Sequence, residues 1–156
     1  MKYVFFDIDG TLIDNAKGIN QIPDGIKREL KRIQKNGHKI FIASGRPKAM
    51  LNDIIIKAGF DGYVLANGGY VEINEQSIYE NHMNDQLAKQ TIQLLDDIGC
   101  EYMIETAHHI YLKQEFHELY DFFAKFHQGH IFVRKFNVED VLKKAIKIEI
   151  NVLNKD

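Results

Sequence analysis

As far as Asn67, segments whose apolar residues follow the pattern of a β-strand alternate with segments whose apolar residues recur at helical spacing. The strand predicted over residues 2–8 carries the apolar residues 3–6 without alternation, which is typical of a central parallel strand covered on both faces. An amphipathic helix then ends at Gly37, and a strand, a second helix over 46–59 and a third strand follow. This βαβαβ order predicts an α/β fold on a Rossmann-like parallel sheet. The predicted core positions of the first helix are Ile26, Leu30 and Ile33.

The pattern changes after Asn67 to a mixed α+β order. A hairpin entered through Gly68 and Gly69 comes first, and helices then alternate with short strands as far as residue 153. We therefore predict two domains, residues 1–81 and residues 82–156. The predicted core positions of the helix that opens the second domain are Leu87, Ile92, Leu95 and Ile98.

Composition narrows the class of protein. Hydrophobic residues make up 45% and charged residues 27% of the 156 residues, as in an ordinary globular protein. A net charge of -2 argues against nucleic acid or an anionic membrane as partner. The one cysteine, Cys100, excludes an internal disulfide and favours a reducing compartment, so we expect a cytoplasmic protein without a secretory leader or membrane span.

Two acids, Asp7 and Asp9, end the first strand, where apolar residues would be expected. Ligands of open parallel sheets bind outside the carboxyl ends of the strands. Side chains at i and i+2 point to the same side, so one carboxylate could attack a phosphate while the other transfers a proton. Gly10 allows a sharp turn, and Mg²⁺ would offset the repulsion between the acids.

Polar groups also follow the second and third strands. The second strand is followed by Ser44, Gly45 and Arg46, and the third strand is followed by Asn67. A hydroxyl group and a backbone N–H beside a glycine can hold phosphate oxygens. Each segment alone could equally be a turn or a helix cap. Their occurrence at consecutive strand ends favours a phosphate site.

The segments "DIDGTL" at 7–12, "ASGRP" at 43–47 and "ANGG" at 66–69 resemble the haloacid dehalogenase superfamily. The likeness is closest to its Cof-type sugar-phosphatase branch, which inserts a large α/β cap after the third core strand. The resemblance implies that residues 1–81 are the N-terminal part of the core and residues 82–156 an incomplete cap. It implies a Mg²⁺-dependent phosphatase that acts on a small phosphorylated metabolite.

The resemblance also implies a role for each site residue. Asp7 would be the nucleophile and Asp9 the general acid and base, with Mg²⁺ on the Asp7 side chain and the Asp9 backbone carbonyl. Thr11 would support the loop, and Ser44 would hold the phosphoryl group. The remaining candidates for phosphate or substrate binding are Gly45, Arg46 and Asn67.

Two motifs of the family have no counterpart here, namely a lysine that neutralises the phosphate and an acidic "GDxxxD" segment. We therefore expect the 156 residues alone to be nearly inactive. We also expect self-association, because the strand at 2–8 would lack a neighbour on one side. Two alternatives stay open: a phosphomutase of the same superfamily, and a catalytically incompetent fragment or binding protein.

Overall fold

The computed structural model of the chain describes residues 1–14 and 17–151. The chain divides into two compact units. The first comprises Met1–Arg46 and Met50–Glu80, and the second comprises Pro47–Ala49 and Asn81–Asp156.

In the first unit, strands and helices alternate as far as the third strand, and two further strands follow. These elements are β1 (Tyr3–Phe6), α1 (Asp24–Lys35), β2 (Lys39–Ala43), α2 (Asp53–Ile56), β3 (Gly62–Leu65), β4 (Tyr70–Ile73) and β5 (Gln76–Glu80). The five strands form one sheet in the order β1-β2-β3-β4-β5. β1, β2 and β3 are parallel, and β4 and β5 add antiparallel strands. The predicted α/β fold is thereby confirmed.

The second unit is a four-stranded sheet with helices. Its elements are α3 (Asp85–Asp97), β6 (Tyr102–Glu105), β7 (Ile110–Tyr111), α4 (Glu118–Ala124), β8 (Phe132–Val133), α5 (Val138–Leu142) and β9 (Lys147–Ile150). The strand order is β8-β7-β6-β9, and every residue of β6 is buried. One core cluster joins the buried faces of α3, β6 and α5, with the members Ala88, Ile92, Leu95, Tyr102, Ile104, Val141, Leu142 and Ala145.

Some details of the sequence prediction were wrong. The helix predicted over 46–59 is reduced to the 3-10 turn Lys48–Met50 and the short α2, because Asn52 is extended and its side chain caps a new helix at the Ile55 N–H. Ile26, predicted to be in the core, is 42% exposed. In α3 the buried stripe is Ala88, Ile92 and Leu95, so Leu87 and Ile98 face solvent.

The edge of the first sheet lies at β1. Among the described strands β1 pairs with β2 alone, so no described strand covers its other edge. Phe5 stacks on Phe41 with 5.2 Å between ring centroids, yet Phe5 remains 55% and Tyr3 59% exposed. An apolar edge strand of this kind is a template for pairing with another chain.

We expect the chain to self-associate through this edge and Phe5→Lys to reduce the association, because a lysine on an edge strand opposes pairing. Light scattering over a concentration series measures this. Phe122→Lys, at a position on α4 that is 54% exposed, is the matched control and should change nothing. A wild-type chain that stays monomeric at all concentrations would contradict the expectation.

A buried ion pair joins β6 to β9 in the second unit. Glu105 is 0% exposed, and its Oε1 accepts a hydrogen bond from Lys147 Nζ at 3.0 Å. Burial raises the pKa of the Glu105 carboxyl to about 7, although Lys147 opposes the shift. Lys147 also contacts Glu149 at 2.8 Å, so one ammonium group serves two carboxylates.

The raised pKa of Glu105 makes folding stability depend on pH. Because the folded chain holds this proton more tightly than the unfolded chain, the contribution of Glu105 to stability is fully present below the ordinary pKa of 4.5 and is lost as the pH rises through about 7. We expect Glu105→Gln to flatten this decline in a urea-denaturation series. Glu29→Gln, an exposed change on α1, should leave the decline as it is in the wild type.

Candidate active site

A compact turn follows β1 and carries the two acids. Residues 7–13, which we call the acidic turn, fold back so that the Ile8 carbonyl accepts the N–H groups of Thr11, Leu12 and Ile13 at 3.3, 3.0 and 3.1 Å. Gly10 has a φ of 73° and donates to the Ile13 carbonyl at 2.8 Å. Ile8, Leu12 and Ile13 are buried and anchor the turn from below, while its polar residues stay exposed.

The two carboxylates of the acidic turn have different surroundings. Asp7 is exposed, and its Oδ1 accepts the N–H of Ile8 at 2.7 Å. Asp9 is held by Arg46, which donates from Nε to Oδ2 at 2.8 Å and from Nη2 to Oδ1 at 2.6 Å. The Asp7 carboxylate is therefore presented to solvent, whereas both carboxylate oxygens of Asp9 accept hydrogen bonds from Arg46.

The ends of β2 and β3 are joined by backbone hydrogen bonds. Ser44 donates its N–H to the Val64 carbonyl at 2.9 Å, and Ala66 donates to the Arg46 carbonyl at 3.0 Å. The Ser44 hydroxyl oxygen accepts the Arg46 N–H at 3.2 Å. Because Phe6 is level with Ile42 in the parallel register, Asp7 and Ser44 leave the sheet at the same edge.

Asn67 stands in a strained turn beside Gly45. Ala66 and Asn67 have φ values of 49° and 55°, in the left-handed region that non-glycine residues rarely adopt. A Cβ added to Gly45 would lie 2.8 Å from Asn67 Oδ1, so glycine at this position leaves room for the carboxamide. Backbone strain of this kind often accompanies a functional position.

The structure brings together part of the predicted site. Asp9 meets Arg46, and Asn67 meets Gly45, at the edge where Asp7 and Ser44 also leave the sheet. Sequence reasoning did not find the contact between Arg46 and Asp9, and because they are 37 positions apart no local pattern could indicate it. The roles assigned to these residues and to Thr11 stay predictions.

The described residues supply few ligands for a metal. Within residues 1–14 and 17–151, no three histidine, cysteine, aspartate or glutamate side chains form a cluster that could hold a metal ion by themselves. Mg²⁺ commonly uses one or two carboxylates and takes its other ligands from water and substrate phosphate. The exposed Asp7 carboxylate fits such partial coordination. In the described parts of the chain, no helix combines the length and apolarity that crossing a bilayer requires.

The chain belongs to the haloacid dehalogenase-like hydrolases, because the model of that family matches residues 4–156. The resemblance inferred from the sequence motifs is confirmed.

Individual relatives carry phosphatase names. The chain is 32% identical to "Putative phosphatase YkrA" of Bacillus subtilis (strain 168) over 96 residues, which are 62% of this chain and 36% of that protein. Its structure is similar to the sugar phosphatase BT4131 of haloacid dehalogenase subclass IIB, with a TM-score of 0.74 and 29% identity over 93% of this chain and 56% of that one. A Geobacillus kaustophilus HTA426 protein shares the fold at 23% identity, with a TM-score of 0.80 over 96% of this chain and 57% of that protein.

Substitution of two different glycines by alanine should change the free energy of unfolding in opposite directions. Gly10→Ala places a Cβ at a φ of 73° and should lower the free energy of unfolding by about 1 kcal/mol. Gly25→Ala, at the second position of α1 with only the flexible end of Arg28 nearby, should raise it by at most about 0.5–1 kcal/mol, the gain known for helix interiors. Chemical denaturation measures both, and equal effects would contradict the structure of the acidic turn.

Proposed function

We propose that this chain carries the nucleophile and the general acid of a phosphatase. Its substrate is a small phosphorylated metabolite such as a sugar phosphate, and an aspartyl-phosphate is the intermediate. The observation that carries the proposal is that Asp7 and Asp9 lie on one turn, which is anchored by buried residues and follows the carboxyl end of a parallel strand. The family membership and the likeness to a sugar phosphatase support it.

The proposed chemistry has two steps. An Asp7 carboxylate oxygen attacks the phosphorus, the bond to the ester oxygen breaks, and Asp9 donates a proton to the leaving oxygen. Water then attacks the phosphorus of the aspartyl-phosphate and gives a proton to Asp9, the bond between phosphorus and the Asp7 oxygen breaks, and inorganic phosphate leaves with the Asp7 carboxylate restored. Asp7 is suited to the first role because it is exposed and its Oδ1 is oriented by the Ile8 N–H at 2.7 Å.

The phosphate would lie against the ends of β2 and β3. The Ser44 hydroxyl accepts from the Arg46 N–H and keeps its own proton for donation to a phosphate oxygen. Gly45 allows close approach, and the strained turn presents Asn67 beside it. We propose that Ser44 and Gly45 bind the phosphoryl group and that Thr11 supports the acidic turn.

We further propose that Mg²⁺ is the cofactor, held by the Asp7 carboxylate and the Asp9 backbone carbonyl. When bound, the ion would offset the negative charge that builds up between Asp7 and the phosphate. We propose that the second unit is a cap domain of the kind found in the Cof-type branch. We also propose that the protein is located in the cytoplasm. The chain spans 36% of the named B. subtilis relative and 56% of the sugar phosphatase, so activity of the whole protein is part of this proposal.

Substitution of the nucleophile tests the function. We expect Asp7→Asn to abolish inorganic phosphate release from a generic phosphate ester, because an amide does not attack phosphorus. Since turnover of this chain should be low, mass spectrometry after incubation with acetyl phosphate supplies a second measurement. The wild type should gain one phosphoryl group on the peptide that contains Asp7.

Asp53→Asn, at a side chain that is 78% exposed on α2, is the matched control and should behave as the wild type does. Circular dichroism checks that each variant is folded. The assignment is wrong if folded Asp7→Asn keeps wild-type turnover, or if the wild type shows neither phosphate release nor phosphorylation.

Magnesium should bind this chain weakly, because Asp7 provides the free carboxylate and Arg46 engages both oxygens of Asp9. Titration calorimetry measures the affinity, and Asp7→Asn should remove the remaining heat signal. Tight binding that survives Asp7→Asn would place the metal elsewhere and contradict the proposed coordination.

A further inference from the structure

The guanidinium group of Arg46 is engaged on all three nitrogens. Nε and Nη2 donate to the two oxygens of Asp9 at 2.8 and 2.6 Å, and Nη1 donates to the Met50 carbonyl at 3.3 Å. Two parallel N–H donors in a rigid plane match a carboxylate, and they match two oxygens of a phosphate equally well. Asp9 therefore occupies a position that a phosphate could occupy.

The two partners of this ion pair differ in solvent exposure and in how firmly the rest of the structure holds them. The Arg46 side chain is 17% exposed, whereas that of Asp9 is 55% exposed. Arg46 is also held through its backbone, because its N–H donates to Ser44 Oγ at 3.2 Å and its carbonyl accepts the Ala66 N–H at 3.0 Å. Arg46 is thus the fixed partner, and Asp9 is the partner that can leave.

Charge favours the replacement of Asp9 by a phosphate group on Arg46, which we call the exchange. A phosphate dianion carries twice the charge of a carboxylate and has more oxygens to offer, so it competes effectively for a guanidinium group. Asp9 can turn into solvent when it is displaced, because more than half of its side chain is already exposed. The displaced carboxylate regains hydration, which lowers the cost of the exchange.

We propose that Arg46 is an anion-binding side chain that Asp9 occupies in the resting protein, and that a phosphate group displaces Asp9 from it. The choice of phosphate as the ligand rests on the proposed function. Arrival of phosphate thereby releases the Asp9 side chain, which becomes free to approach the leaving oxygen only when substrate is present. Arg46 is in this account a phosphate-binding and positioning residue.

Binding of inorganic phosphate to the chain tests the exchange without any need for turnover. Titration calorimetry in magnesium-free buffer compares the wild type with Asp9→Asn, Arg46→Gln and the double variant. Asp9→Asn should tighten binding by about tenfold, because the competing carboxylate is gone. Arg46→Gln should weaken binding, and in its background Asp9→Asn should change the affinity by less than about twofold.

Two controls separate the exchange from other effects. Glu29→Gln removes the same charge as Asp9→Asn from an exposed ion pair with Arg32 on α1, and it should leave phosphate affinity unchanged. Arg46→Lys keeps the charge without the planar fork and should bind phosphate with intermediate affinity. If Arg46→Gln does not fold, Arg46→Lys takes its place in the double-variant comparison.

The outcomes are decisive in both directions. Tightening by Asp9→Asn that depends on Arg46 supports the exchange. Equal tightening with and without Arg46 would mean that Asp9 acts by charge repulsion alone and would overturn it, as would absence of phosphate binding in every variant. A failure of the proposed function would be seen separately, as absent phosphate release and absent phosphorylation of Asp7 despite Arg46-dependent phosphate binding.

Discussion

Convergence of three backbone N–H groups on the carbonyl of Ile8 is the interaction on which the candidate site depends. It closes the acidic turn directly after the edge strand β1, and the burial of Ile8, Leu12 and Ile13 anchors the turn. Each buried residue of the turn is apolar, so the polar residues between them are left at the surface. The acids are therefore exposed through the anchoring of their neighbours.

Arg46 has a structural role and a role in the site at once. Its backbone links the ends of β2 and β3, while its guanidinium reaches the acidic turn after β1. Three strand ends are thus tied together by one residue. A positive charge at this edge also reduces the repulsion between Asp7 and Asp9, which would otherwise oppose folding of two acids so near each other.

Polar groups in the second unit mainly support its fold. Glu101 accepts the first N–H groups of α4, from His117, Glu118 and Leu119 at 2.8, 3.1 and 2.7 Å, and so satisfies donors that a helix start leaves free. Glu105 and Lys147 join β6 and β9 from positions that are 42 residues apart. These contacts satisfy the donors at the start of α4 and link two neighbouring strands of the second unit.

The sequence by itself determined the order of strands and helices, the positions of Asp7 and Asp9 at a strand end, and the turn at Gly10. These features depend on residues within a few positions of one another, and local periodicity and backbone preference therefore predict them. Only the tertiary structure decided that Arg46 holds Asp9 and that α2 is a short, separate helix. Contacts between distant residues depend on strand register and on which faces are buried, and no short segment of sequence contains that information.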